Sequence, residues 1–286
     1  MNSQEFLKEV LNSEICPSNF EIIYKSFLKY QKAAIDTLNE FHRVCEENKI
    51  QYQLAYGSLL GAIRDNGQIP WDYDVDVFVP FEEKDRLITS LKRDLDDKYY
   101  FYCPEVDSKC RHFVMRLAPK KYRTEAIHVD VFYMIGGPKN VEECIDLKQK
   151  IASLLNIRFS KLVVAKEEAM GINKKFFKLI LNKIKVHSEK LDNVEKQFYD
   201  LCSTHPVYNS DYCIPTDKFG MTTIYDSKMW NTYLISTTTG IYRVPCNYDE
   251  ILTSIYGNWH QYLPLKSRIK EVTKSYKRLK YFDDNF

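Results

Sequence analysis

The sequence predicts an α/β (α+β) fold, with a sheet flanked by helices in the N-terminal half and a mainly helical C-terminal half. Two observations support this class. Amphipathic stretches of helical period alternate with short β-branched and aromatic runs through the first half of the chain. Gly136-Gly137-Pro138 then breaks the pattern, and mainly helical periods follow. We therefore predict residues 1–138 as the core with N-terminal helices. Residues 139–286 are predicted as a companion or lid region that completes the same globular unit.

The first half of the chain supplies the helix and strands around which the core is predicted. Weak periodicity in the first 20 residues predicts a short helix. Apolar residues at helical spacing from Tyr30 to Asn48 predict a longer helix that covers the sheet. Alternation from Ile50 to Tyr56 predicts a strand, which is followed by a short helix from Leu59 to Arg64 and a turn at Asp65-Asn66-Gly67.

The remaining elements follow from the same periodicities. A strand is predicted over Val75 to Val79, a charged helix over Phe81 to Asp97, and strands over Tyr99 to Cys103, His112 to Leu117, Ala126 to Met134 and Tyr233 to Val244. Helices are predicted over Val141 to Arg158, Lys174 to Val186, Ser188 to Cys202 and Asn247 to Tyr256, the last ended by Gly257.

Composition excludes several classes of protein. The 41 Lys and Arg nearly balance the 39 Asp and Glu, so no global positive field favours nucleic acid as a partner. No apolar run approaches the ~20 residues that a membrane-spanning helix needs. The eight cysteines include no C-x-x-C pair, and the N-terminus shows no secretory signal, so we expect reduced thiols in the cytoplasm. A zinc site of Cys202, His205 and Cys213 is the alternative, although its spacing fits no standard zinc pattern.

Two aspartates at the start of the strand over Val75 to Val79 are the first candidate site residues. The period of two along a strand points Asp74 and Asp76 to the same face. Two such carboxylates repel each other unless a cation neutralises them, and oxygen ligands suit Mg²⁺ or Mn²⁺. The pair therefore predicts a metal site, with exposed strand-end acids as the alternative.

A third carboxylate lies further along the chain. Asp130 stands in the apolar run IHVDVFYM, where alternation places it on one face with His128 and Phe132. An isolated acid in such a strand is costly to bury, so we predict that Asp130 completes the site. The alternative is an inert acid paired with a structural arginine or with His128.

A Gly-Ser turn before the aspartates predicts a phosphate site. Gly57 and Ser58 end a predicted strand and open a helix, so backbone N–H groups are available for an anion. Arg64 offers two parallel donors to a phosphate. The alternatives are an ordinary helix N-cap for Ser58 and an ion pair of Arg64 with Asp65 or Asp72.

Three further residues are candidates because of their positions relative to the acids. Trp71 and Tyr73 flank the acids and would stack on a nucleobase or border a substrate pocket, with simple loop packing as the alternative. Arg116 would add positive charge near a diphosphate, although a charged hairpin is usually a solvated face.

Several of these motifs together resemble one family. The stretches GSLLGAIR (57–64) and IPWDYDVDV (69–77), with HVDVF (128–132), YGNW (256–259) and Leu263-Pro264, are similar to motifs of the LicD family. Its bacterial members are phosphocholine transferases, and fukutin and fukutin-related protein are animal relatives. The resemblance covers the first half of the chain closely and the second half sparsely.

The resemblance implies a nucleotidyltransferase-like fold with a mixed sheet. In it, the Gly-Ser turn would hold donor phosphates and Asp74, Asp76 and Asp130 would hold Mg²⁺ or Mn²⁺, with Asp130 also a general base. The implied reaction moves a phospho-alcohol (phosphocholine, or ribitol or glycerol phosphate) from a CDP donor to a sugar hydroxyl of a cell-surface glycan precursor, releasing CMP.

Two departures from the family pattern bear on the substrate. Tyr73 stands where many bacterial members have Asp, which leaves the transferred alcohol open. Thr238-Thr239-Gly240 stands where bacterial relatives often have Phe-Glu-Gly, which leaves the donor or acceptor pocket open.

Two other functions stay open at this point. The same fold could move NMP from an NTP to a small molecule or protein, or the chain could be a glycan- or nucleotide-binding subunit without catalysis. We expect a cytoplasmic protein at the inner face of a membrane with a glycan acceptor on a lipid carrier. Lys174 to Val186, KKFFKLILNKIKV, fits a helix on anionic lipid, and a core-facing helix with solvated lysines is the alternative.

Overall fold

The predicted fold class is confirmed, since a mixed sheet is flanked by helices and helices dominate the C-terminal half. The computed structural model describes residues 1–110, 112–122, 126–162, 190–218 and 223–285. The helices of this part are α1 Ser3–Leu11, α2 Phe20–Glu47, α3 Tyr56–Leu60, α4 Lys84–Asp94, α5 Val141–Leu162, α6 Leu191–Cys202, α7 Tyr248–Tyr256 and α8 Leu265–Asn285.

The sheet is built from strands of both halves of the chain. The strands are β1 Gln53–Leu54, β2 Val75–Pro80, β3 Tyr99–Tyr102, β4 Met115–Pro119, β5 Val129–Gly136, β6 Tyr212–Pro215, β7 Tyr225–Asp226, β8 Thr232–Ser236 and β9 Ile241–Pro245. The main sheet has the order β1-β2-β5-β4-β3, with β6 beside β5 and β7 beside β6. Strands β2 and β5 pair in parallel, the other pairs are antiparallel, and β8 and β9 form a separate hairpin.

Helix α2 covers the core and is longer than predicted. Its apolar stripe begins with Phe20, Tyr24 and Phe27, all fully buried, so the helix starts ten residues before Tyr30. Each such aromatic contributes about 2–3 kcal/mol by leaving water. The helix also carries a buried amide, because Gln31 Nε2 donates to the carbonyls of Ile69 (2.9 Å) and Asp72 (2.6 Å).

The strand predicted over Ile50 to Tyr56 is mostly wrong. Only Gln53 and Leu54 pair with β2. Tyr56 already opens α3 with a left-handed backbone (φ 44°), which a strand does not allow. The helix then widens into a π-turn over Gly61–Asp65 and ends at Asn66, also left-handed (φ 55°).

Residues after 138 continue the same sheet. Strand β6 pairs with β5 through Met134↔Pro215 and Ile135↔Ile214. Helix α8, which the periodicity did not reveal, packs on α2, and the Tyr30 hydroxyl donates to Asp283 (2.9 Å). The division at residue 138 stays a prediction.

No helix in the described ranges combines the length and the apolar character that a membrane crossing requires. The predicted helix Lys174 to Val186 lies outside the described residues. The two cysteines of the alternative zinc site, Cys202 and Cys213, are buried free thiols.

Candidate active site

Three neighbouring strands bring the predicted acids into one row. In the parallel pair of β2 and β5, Asp76 stands opposite Asp130, and in the antiparallel pair of β4 and β5, Arg116 stands opposite Asp130. Side chains in register point to the same face of a sheet. Asp74 lies two residues before Asp76 and therefore also faces this side. The row unites four residues that were selected separately from the sequence.

Asp130 has a basic side chain on each side. Arg116 Nε donates to its Oδ1 (2.8 Å), and His128 Nε2 lies 3.3 Å from its Oδ2. Burial would raise the pKa of Asp130, but His128 and Arg116 outweigh burial and hold that pKa well below its usual range. This is the paired arrangement that the sequence left as an alternative. Such a carboxylate stays ionised at neutral pH and is a weak base.

Asp76 lacks such compensation. It is half-buried, and no ion pair joins it to a cation in the described part of the chain. Burial raises the pKa of Asp76 well above its usual range, and the charges of Asp130 and Asp74 add to the rise. Asp72 and Asp217 contribute in the same direction. A bound cation would therefore relieve repulsion at this position.

Asp74 occupies the outer end of the row. The residue as a whole is exposed, but its carboxyl lies close enough to the body of the protein to lose part of its hydration. This desolvation raises the pKa of Asp74, although the charges of His128 and of Arg278 from α8 act to lower it. Tyr73 beside it is buried, and its ring packs edge-on against Phe27. Burial and the neighbouring Asp74 raise the pKa of Tyr73.

Gly57 and Ser58, predicted as a turn, lie in the first turn of α3, so Ser58 is not the helix N-cap, which is Ala55. This Gly-Ser turn fixes the main chain of Asp76. Ser58 Oγ accepts from the Asp76 N–H (2.9 Å), and the Ala55 N–H donates to the Asp76 carbonyl (3.0 Å). Ser58 is 4% exposed, so this bond is shielded from water. Its hydroxyl thus positions Asp76, in addition to the phosphate role predicted for the turn.

Replacing Ser58 by Ala should destabilise the protein by about 1–3 kcal/mol, because the Asp76 N–H loses its partner in a buried place. Urea denaturation measures this loss. Ser58→Thr, which keeps the hydroxyl, is the matched control for the lost bond. A Ser58→Ala protein as stable as the original would show that the bond contributes nothing.

Gly57 allows a carboxylate that the sequence analysis missed to approach the turn. A Cβ at Gly57 would lie 3.0 Å from Asp72 Oδ2. Burial and the charge of Asp74 raise the pKa of Asp72 to about 7. The spacing Asp72, Asp74, Asp76 was a readable signal, since a period of two places all three on one side.

Two more polar residues that the sequence analysis missed, Asp217 and Lys148, lie near the row, since the charge of Asp217 acts on Asp76. The Tyr56 hydroxyl donates to Asp217, and Lys148 Nζ lies 3.3 Å from Asp217 Oδ1, with both charged side chains fully buried. Tyr256, at the end of α7, is 40% exposed, and burial together with Asp76 and Asp72 raises its pKa. Asp217 and Lys148 are isolated in the sequence, so no pattern marks them.

Arg64 forms the ion pair, and Trp71 the loop packing, that the sequence left as alternatives to substrate binding. Arg64 pairs with the buried Asp65 (2.9 Å) and lies over the ring of Tyr262 (4.7 Å). Trp71 is 5% exposed and packs against Phe6. Their predicted contacts with phosphate and base stay predictions, and a phosphate would compete with Asp65 for Arg64.

Thr238-Thr239-Gly240, where the sequence differs from the family pattern, forms the tip of the β8–β9 hairpin. This tip supports the loop between Asn66 and Asp74. Thr238 donates to the Asn66 carbonyl through its N–H (2.9 Å) and its hydroxyl (2.8 Å). Gln68 Nε2 then donates to the Asp74 carbonyl (2.9 Å). The tip thus holds the loop that carries Asp72 and Asp74.

The donor set has the hard oxygen chemistry that Mg²⁺ and Mn²⁺ prefer. In the described residues no three His, Cys, Asp or Glu are already gathered as a ligand set. Asp74 and Asp76 fit a cation, since both have raised pKa values. Asp130 is ionised beside them. To bind the same cation, its carboxylate would have to give up its contacts with Arg116 and His128 or share them with the cation.

Comparison with known proteins agrees with these motifs. Residues 49–152 match the family described as LicD/FKTN/FKRP, nucleotidyltransferase domain. The lipopolysaccharide cholinephosphotransferase LicD of Haemophilus influenzae is 26% identical over 250 residues, which cover 82% of this chain and 91% of that protein. The matched residues contain the Gly-Ser turn, the aspartate row and Arg116. The chain is therefore similar to the LicD family over residues 49–152, and the similarity to the Haemophilus influenzae protein extends beyond them.

Proposed function

We propose that the protein transfers a phospho-alcohol from a CDP-activated donor to a sugar hydroxyl of a cell-surface glycan precursor and releases CMP. The observation that supports this most is Asp76, half-buried beside Asp130 and Asp74 with no cationic partner in the described part of the chain. Phosphocholine is the first candidate group, because the relative is a lipopolysaccharide cholinephosphotransferase. Ribitol phosphate and glycerol phosphate are the others.

In this proposal Asp74 and Asp76 hold Mg²⁺ or Mn²⁺, and Asp130 contributes as the ionised third acid. A divalent ion there would neutralise charge on the donor diphosphate as the phosphoryl group moves. Arg116 and His128 keep Asp130 ionised, which suits a ligand. The same low pKa argues against the general-base role predicted for Asp130. Asp72, the neighbouring carboxylate beside Gly57, is instead our candidate for the general base.

The chain also offers groups for the donor. The N-terminus of α3, where no side chain caps the backbone N–H groups, would bind a donor phosphate at Gly57 and Ser58. Arg64 stands at the far end of the same helical run. Tyr256 is exposed near Asp72 and Asp76, so its ring is available to the transferred group. We further propose action in the cytoplasm at the inner face of a membrane, on a lipid-linked acceptor.

Incubation with CDP-choline, CDP-ribitol or CDP-glycerol and a glycan acceptor should release CMP only with Mg²⁺ or Mn²⁺ present. EDTA should stop the reaction, and added metal should restore it. Pyrophosphate from an NTP would instead identify a nucleotidyltransferase. Tight, metal-independent binding without turnover of any donor would identify a binding subunit and contradict the proposal.

A further inference from the structure

The solvent face of α8 carries a row of lysines. Lys266, Lys270, Lys274 and Lys277 recur at i, i+4, i+8 and i+11, and all four are exposed. At 100° per residue they fall within an arc of about 80°, along about 16 Å of helix. No ion pair joins any of them to an acid in the described ranges. We call these four residues the lysine row.

This row concentrates charge in a chain that is otherwise acidic. Residues 266–281 contain seven basic residues and one acidic residue, a net charge of +6. The whole chain carries +2, so the remainder carries −4. Lysines in solvated faces are normally interspersed with acids, and in this stretch the one acid, Glu271, lies off the row. The positive charge of the protein is therefore concentrated on the solvent face of α8.

The rest of α8 is committed to the fold and to the candidate site. Arg268, Val272 and Leu279 are buried against the body, where Arg268 pairs with Glu9 (2.6 Å). Between this buried face and the lysine row lie Glu271 and Arg278, whose charges act on Asp72 and Asp74 respectively. The lysine row is thus next to the side of the helix that faces the acids.

We propose that the lysine row docks the protein on an anionic lipid bilayer. Four ammonium groups within one narrow arc can all reach a plane, and their alkyl stems can lie along the interface. Exposed apolar groups stand at both ends of the helix, Leu263 (52% exposed) before it and Tyr281 (37% exposed) beyond Lys277.

Docking in this way would hold the candidate site at the level of the lipid headgroups. The bilayer contact itself does not depend on the proposed reaction, since it rests on the charges of α8 alone. It would bring the proposed lipid-linked acceptor near the site, because the helix that carries the lysine row also carries Arg278, whose charge acts on Asp74.

Vesicle co-sedimentation of the full chain tests this surface. Vesicles of phosphatidylcholine and phosphatidylglycerol in equal parts should bind the protein at ionic strength of about 0.1 M and release it at about 1 M, whereas pure phosphatidylcholine should not bind it. Each lysine near an anionic surface raises the partition coefficient about fivefold. The variant with Lys266, Lys270, Lys274 and Lys277 all changed to Gln should therefore lose roughly 600-fold, the product of four such factors.

The matched control changes four exposed lysines elsewhere, Lys92, Lys139, Lys196 and Lys228, to Gln and alters net charge equally. It should bind within about twofold of the original protein. Equal losses in both variants would mean that net charge, not the row, drives binding. No binding of the original protein to the anionic vesicles would overturn the proposal, and so would tighter, row-dependent binding to a DNA duplex. CMP release with a soluble acceptor reports separately on the proposed reaction, so the two failures are distinguishable.

Discussion

Replacing Asp76 by Asn should abolish the proposed transfer and, at the same time, stabilise the metal-free protein. Loss of a carboxylate that would hold the charge-neutralising cation should cost on the order of 100- to 1000-fold in turnover or more. The stabilisation arises because the Asp76 carboxylate is half-buried among other acids, which disfavour its charged form. An uncharged amide of the same size removes that repulsion, and a gain of about 1 kcal/mol corresponds to roughly 2–4 °C in Tm.

The pH dependence of this gain has a definite sign. The pKa of Asp76 is raised in the folded protein, so the folded state binds the proton more tightly than the unfolded chain does. Stability is therefore lost as pH rises from the unfolded pKa, about 4, through the folded pKa. The advantage of Asp76→Asn should grow as pH rises above about 4, be complete above the folded pKa of Asp76, and vanish below about pH 4.

Asp130→Asn is the matched control, with the opposite sign expected. The pKa of Asp130 is lowered by His128 and Arg116, so its charge stabilises the fold above the unfolded pKa. Thermal unfolding of both variants without metal, at several pH values, measures the difference. If Asp76→Asn destabilised the protein as Asp130→Asn does, the repulsion at Asp76 would be refuted. Added Mg²⁺ should raise the Tm of the original protein and leave Asp76→Asn unchanged.

Replacing Lys148 by Met should destabilise the protein by about 3–5 kcal/mol, because the change removes the ammonium group that pairs with the buried Asp217 charge. Both side chains are fully buried, and Lys148 Nζ also donates to the Pro215 carbonyl (3.4 Å). Met fills a similar volume, so little of the loss comes from a cavity. Urea denaturation gives the free energy of unfolding directly.

Two further variants isolate the buried charge as the cause. Lys150→Met removes an exposed lysine two residues along the same helix and should change stability by less than about 0.5 kcal/mol. Lys148→Met with Asp217→Asn should recover most of the loss, since the amide oxygen still accepts from Tyr56. A double variant as unstable as Lys148→Met alone would point to packing instead of charge.

Much of the acid row could be predicted from the sequence, because a strand's period of two is a local property. It placed Asp74 and Asp76 on one face and selected Asp130 as an acid in an apolar run. Pairing is not local. That β5 lies beside β2 with Asp76 opposite Asp130, and that Arg116 enters from β4, depends on the whole sheet. His128, two residues from Asp130 in the same predicted strand, could therefore be named as its partner from the sequence, whereas the contact with Arg116 and the repulsion at Asp76 could not.

Helix α8 was missed for a different reason. Its buried positions Ile269, Val272 and Leu279 are sparse, and lysines surround them, so the apolar stripe is weak in the sequence. Tyr56 was placed in a strand because its left-handed backbone has no signal in residue type. Arg64 could not be assigned between phosphate and Asp65 without knowing that Asp65 is buried.

The double attachment of the Asp76 main chain couples two halves of the candidate site. Ser58 holds its N–H and Ala55 holds its carbonyl, so the turn and the acid move as one body. An anion that orders the turn and a cation that binds the acid would then share a free energy. By linkage, if one ligand raises the affinity of the other by some factor, the second raises the affinity of the first by the same factor. The Gly-Ser turn would therefore couple the binding of the anionic donor phosphate to the binding of the cation, and the hydrogen bond of Ser58 to Asp76 would carry that coupling.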